Sequence, residues 1–202
     1  MTASEPLPPA TFENKYELFA EIARRFRGKS GLEPILVGGS AFEWHFPDIY
    51  ASDDLDVVIQ ATVVRVREFE AVLNEAGFAR TGRCWAHPAF AWTVDVVGTT
   101  LALAPGGFGA EVVVAQGPLT GASFTVSSAT TIWCDRAIAW EALPQSQRDA
   151  RHTRLAVERF RGKLDEHQAR QVLKAAGVLK ILRRRTATMP EWSAFADIFI
   201  EP

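Results

Sequence analysis

One stretch constrains the fold of this chain more than any other. Pro34-Ile-Leu-Val37 runs straight into Gly38-Gly39-Ser40, thirteen residues follow, and then comes Asp54-Leu-Asp-Val-Val-Ile59. The first apolar run is too short for a helix and reads as a buried strand; the second, Leu55–Ile59, is β-branched and reads as another. Two glycines and a serine after a strand leave backbone N–H groups free at the start of a helix, a geometry that suits an anion and above all a phosphate. Asp54 and Asp56 are two apart in a strand, so both side chains leave the same face while Leu55 turns to the core. Carboxylates that close repel one another and resist double ionisation. A divalent cation removes that penalty, and Mg2+, with its preference for carboxylate and phosphate oxygens, is the natural choice. A third acid, Asp95, lies in the β-like run Trp92-Thr-Val-Asp-Val-Val97. If that run lies beside the Asp54 strand, three carboxylates converge, enough for two metal ions about 3.5–4 Å apart.

The rest of the chain falls in place around this stretch. Helical spacing is expected over Glu13–Arg27, closed by Gly28 and Gly31, and over Val63–Ala76, closed by Gly77. Phe78–Trp85, Phe90–Val97 and Ala110–Ala115 read as strands, with a turn at Gly117-Pro118. From about Thr130 the pattern is helical: Ile132–Leu143, Arg148–Arg161 and Asp165–Ala176, with Asp165 placed as an N-cap. Arg183-Arg184-Arg185 reads as a basic turn and Pro190 as a helix start. The expectation is an α/β (α+β) protein. Residues 1–128 would form a catalytic core with a small mixed sheet flanked by helices, and residues 129–202 a helical region. The Pro-rich residues 1–11 read as a loose arm.

Composition excludes several classes. The 202 residues are 48% apolar and 23% charged, values of an ordinary globular chain. Nothing approaches the ~20 apolar residues of a membrane span, and the N-terminus lacks the basic start and apolar core of a secretory signal. Two cysteines, Cys84 and Cys134, cannot build a disulfide framework and read as small buried groups. A cytoplasmic protein is the expectation. Residues 1–135 carry 9 basic and 16 acidic residues, and residues 136–202 carry 13 and 8, so a net −7 faces a net +5. The acid-rich part holds the candidate metal ligands.

The glycine-serine turn followed by Asp-apolar-Asp-apolar resembles the signature of the DNA polymerase β-like nucleotidyltransferase superfamily over roughly residues 34–97, closest to small bacterial members with a helical C-terminal half, toxin-like ones included. Gly38, Gly39 and Ser40 match the glycine-serine motif, Asp54 and Asp56 the metal carboxylates, and Asp95 the third acid; Ser52 matches a small hydroxyl residue often found there. The resemblance implies NTP and Mg2+ as reactants. An NMP group would pass to an acceptor hydroxyl on an RNA or tRNA end, a protein or a small molecule. It places a phosphate-contacting basic residue near the first C-terminal helix, where Arg136 stands. It also implies a cognate antitoxin as a partner if the chain belongs to a toxin–antitoxin pair, and no membrane. The alternatives are an inactive, binding or regulatory protein of the same fold and a metal- or phosphate-dependent hydrolase, the latter lacking any His–Asp ligand spacing. Gly28-Lys29-Ser30 imitates the end of a phosphate-binding P-loop, but Ala23 stands where the first glycine belongs. His45, His87, His152 and His167 read as surface or helix-end residues; His45 and Asp48 lie where they would border an acceptor. Trp44 reads as core, with base stacking as the other use of its ring.

Overall fold

A computed structural model of the chain describes residues 14–60, 62–101, 103, 110–142 and 147–199. The expected arm at residues 1–11 lies outside them. The chain divides into two compact units, residues 1–41, 51–101 and 112–126 in one, residues 42–50, 102–111 and 127–202 in the other.

The first unit is built on a mixed sheet. Helix α1 (Lys15–Ser30) is capped by the Asn14 side chain, which accepts from the Tyr16 N–H, and ends at Gly31 with φ 72°. The helix runs through Gly28, which the sequence had marked as a terminator. Strand β1 (Pro34–Val37) leads directly into α2 (Gly38–His45), and β2 (Asp54–Ile59) leads to α3 (Val63–Glu75). The expected single strand over Phe78–Trp85 is two, β3 (Ala79–Thr81) and β4 (Cys84–Ala86), paired antiparallel around Gly82 with its φ of 63°. Then come β5 (Thr93–Gly98), β6 (Val112–Gln116) and β7 (Ser123–Ser127). The last was not anticipated from the sequence. The strand order is β3-β4-β5-β2-β1-β7-β6. β2 is antiparallel to β1 and parallel to β5, and β1 is parallel to β7.

The faces of the central strands are unequal. Leu55, Val57 and Ile59 are 0% exposed and share the core with Leu18, Phe19, Ile22 and Phe26 of α1 and Phe69 and Leu73 of α3. Phe26 meets Phe69 edge-on at 5.2 Å, and Phe19 meets Phe124 at 5.7 Å. On the other face, Ile35, Val37 and Val58 form a small apolar cluster joined by Leu101. That face also carries the acids.

The second unit is helical: α4 (Ala129–Ala142), α5 (Gln147–Phe160), a 3-10 turn (Arg161–Lys163), α6 (Glu166–Ala175), α7 (Leu179–Thr186) and a 3-10 segment (Pro190–Phe199). Asp165 caps α6 as expected, accepting from the Gln168 N–H at 2.9 Å. The three arginines 183–185 lie in α7, not in a turn. Trp140 and Trp192 stack at 4.7 Å in the core, and the Trp133 indole donates to the Thr153 carbonyl at 3.0 Å. Cys134 is buried there, while Cys84 in the first unit is half-buried. Among the described residues no helix is long and apolar enough to cross a membrane.

Candidate active site

The sheet register assembles the site. Asp56 pairs with Asp95 and Asp54 with Thr93 across the parallel β2–β5 ladder. Partners in a parallel ladder share a face, and alternation puts Asp54 on that face too. The backbone therefore brings the three expected acids to adjacent positions on one side of the sheet. β1 completes the arrangement: Val37 pairs with Asp56, so the glycine turn begins beside the second acid.

The turn and the acid are fitted to each other. Gly38 has φ 61°, which side-chain-bearing residues rarely adopt. A Cβ placed there would stand 2.0 Å from Asp56 Oδ2. The Gly39 N–H, at the start of α2, donates to that same oxygen at 3.3 Å. A carboxylate at the positive end of a helix is stabilised there, so the site already holds one anion against the turn with its own aspartate.

The other side chains have partners as well. The Thr93 hydroxyl donates to Asp54 Oδ1 at 2.5 Å. Ser40 is 0% exposed and its hydroxyl donates to the Asp54 carbonyl. That bond ties the glycine turn to β2. The Ser52 hydroxyl bonds the Asp54 backbone, with its oxygen 3.2 Å from the carbonyl and 3.4 Å from the N–H. Asp53 is exposed and its carbonyl accepts from the Thr93 N–H. Among the described residues no three His, Cys, Asp or Glu side chains are gathered closely enough to hold a metal ion as they stand. The backbone placement and the chemistry of the donors, three carboxylates with hard oxygens on neighbouring strands, nonetheless suit Mg2+.

Arg136 sits in α4 of the helical unit, 3.5 Å from Asp149 Oδ1. His45 Nε2 lies 2.7 Å from the Ser127 carbonyl, and burial holds its pKa below the usual imidazole value. Two histidines expected at the surface are buried. His87 is 9% exposed, between Phe78 and Phe90, and His152 is 6% exposed, against Phe42 and Tyr50. Trp44 is half-buried. Sequence reasoning missed Thr93, the hydroxyl that holds Asp54, and Lys15 and Tyr16, which bond the backbone of Ser52 and Ser40. Thr93 had a usable signal, since it stands two residues before Asp95 and so shares its face.

Solved structures of a nucleotidyltransferase-like protein and of ANT(2'')-Ia share this architecture. A crystal structure of an antigenic nucleotidyltransferase-like protein from Paracoccidioides brasiliensis matches with a TM-score of 0.62 at 13% identity, covering 92% of this chain and 93% of that one. The chain has a nucleotidyltransferase fold. The solution structure of the antibiotic-resistance factor ANT(2'')-Ia matches with a TM-score of 0.52 at 16% identity over 86% of this chain and 100% of that one. A crystal structure of ANT(2'')-Ia in complex with adenylyl-2''-tobramycin matches with a TM-score of 0.53 at 17% identity, over 85% and 99%. No protein-family model matches the sequence, and no curated protein matches it.

Proposed function

We propose that this protein is a Mg2+-dependent nucleotidyltransferase that moves an NMP group from an NTP to an acceptor hydroxyl and releases pyrophosphate. The observation that carries the reading is the register of Asp56 with Asp95, beside a Gly38 backbone that has no room for a side chain against Asp56. A fold with this architecture also forms a protein that has been seen with an adenylylated product.

In this reading residues 1–128 are the catalytic core and residues 129–202 the helical region. Asp54, Asp56 and Asp95 would hold Mg2+, which when bound supplies charge neutralisation at the phosphoryl oxygens and orients them. Gly38 and Gly39 let the triphosphate approach the backbone, and Ser40 keeps that backbone fastened to β2. Asp95 accepts the proton of the acceptor hydroxyl. The hydroxyl oxygen bonds to the α-phosphorus, the α–β phosphoanhydride bond breaks, and pyrophosphate departs. Arg136 is the basic side chain assigned to the nucleotide phosphates by the resemblance. A small hydroxyl-bearing molecule is the favoured acceptor, because the adenylylated product in the structural neighbour is one.

The test is label transfer. Protein, Mg2+ and each α-labelled NTP are incubated with aminoglycosides, with bulk tRNA and alone. Wild-type protein transfers label. Asp54→Ala with Asp56→Ala lowers transfer about a thousandfold or more, the equivalent of several kcal/mol at the phosphoryl group. Undiminished transfer by the double variant defeats the metal assignment, and no transfer by wild type to any acceptor defeats the activity.

A further inference from the structure

The two ends of α1 are built differently. Residues 15–20 are buried without interruption, whereas from residue 21 onward exposed, half-buried and buried positions are interspersed. The buried run includes two charged side chains, Lys15 at 5% and Glu17 at 2% exposure. Successive helical residues point about 100° apart, so three neighbours fan out across the helix end, and each reaches a different segment. Lys15 Nζ donates to the Ser52 carbonyl at 2.8 Å. The Tyr16 hydroxyl donates to the Ser40 carbonyl at 3.1 Å. Glu17 accepts from the Leu119 N–H at 2.7 Å, the Thr120 N–H at 3.1 Å and the Thr120 hydroxyl.

Two of these three segments belong to the candidate site. Ser52 lies two residues ahead of Asp54 and bonds its backbone, and Ser40 ends the glycine turn with its hydroxyl on the Asp54 carbonyl. The bonds close a ring: Lys15 to Ser52, Ser52 to Asp54, Asp54 to Ser40, Ser40 to Tyr16, and Tyr16 to Lys15 through one peptide bond. We propose that Lys15 and Tyr16 are positioning residues that fix the spacing between the glycine turn and the Asp54 strand. Well-packed apolar groups often serve stability as well as a buried charge does, and a methionine has nearly the length of Lys15. What the ammonium adds is a directed bond to one carbonyl. The effect on catalysis rests on the nucleotidyltransferase reading; the effect on geometry does not.

Hydrogen exchange on the full chain separates the two. Lys15→Met and Tyr16→Phe raise amide exchange in residues 38–40 and 52–56 about tenfold or more, as expected when a local opening becomes easier, and leave residues 117–122 as in wild type. Glu17→Gln does the reverse. Tyr16→Phe keeps the ring stacked on Phe124, so it tests the proposal even if Lys15→Met does not fold. In the label-transfer assay, both site-loop variants lower kcat about tenfold with KM for the NTP within about twofold, as misplacement of reacting groups does, while Glu17→Gln leaves both constants near wild type. Exchange that rises uniformly over the unit, or that leaves residues 38–56 unchanged, overturns the positioning role. If wild type transfers no label, the enzymatic reading fails, and the exchange pattern alone decides this proposal.

Discussion

Each unit buries charge, and each does so differently. In the first, Lys15 and Glu17 sit at one helix end and bond directly to loop backbone. In the second, Arg136, Asp149 and His152 form a looser group. The Arg136–Asp149 contact is 3.5 Å, and Arg136 Nε and His152 Nδ1 are buried with no hydrogen-bond partner among the described residues. Close bonds to the backbone of particular loops hold those loops in place. Loosely matched charge around an imidazole leaves its protonation to be set by burial. His152 is pushed down to about 4, first by burial and then by the nearby Arg136 charge, with Asp149 pulling the other way. For Glu17 burial also raises the pKa, but the hydrogen bonds from Thr120 and Leu119 outweigh it and hold the carboxyl below the usual range.

The sharpest way to break the contrast is Glu17→Ala. It strips the β6–β7 turn of three hydrogen bonds to a charged acceptor, and a loss of about 3 kcal/mol or more in unfolding free energy is expected. Denaturant unfolding checks it; a loss under about 1 kcal/mol would place Glu17 among ordinary surface groups. His152→Leu comes next and acts through pH. Unfolded, the imidazole takes up a proton near pH 6.5; folded, it does so only near about 4. Between those values the unfolded chain binds more protons, so stability falls as pH drops from 6.5 towards 4. His152→Leu removes up to about 3 kcal/mol of that decline, measured as a flatter plot of unfolding free energy against pH. An unchanged slope would mean that His152 titrates normally. Asp149→Asn is the smallest. Without its counter-charge Arg136 costs about 1–3 kcal/mol at neutral pH, and the midpoint of His152, read by NMR, moves lower still. A midpoint that rises contradicts the electrostatic account.

Much of the fold was legible because local chemistry and tertiary structure agree. Asp165 caps α6, Gly117-Pro118 makes its turn, and the apolar runs 34–37 and 55–59 became strands. Strand β7 escaped because Ser123-Phe-Thr-Val-Ser127 is short and half polar, although Phe124 and Val126 alternate into the core as a period of two requires. The break between β3 and β4 had a marker in Gly82 that the longer β-like run hid. Of the site, spacing was enough to put Asp54 and Asp56 on one face. The pairing of Asp56 with Asp95 depends on which strands are neighbours, which no local pattern specifies. Lys15 and Glu17 contradict the rule that charge faces water, so only the packed structure reveals where they point.

The fit of Gly38 to Asp56 ties two positions together in descent. A side chain at 38 must enter the volume that the carboxylate of 56 fills, and a shorter residue at 56 gives up the bond to the start of α2. Neither position drifts alone without injury to the other. Lineages that retain the pair inherit it whole, and a relative that has replaced one is expected to have rebuilt the turn around both.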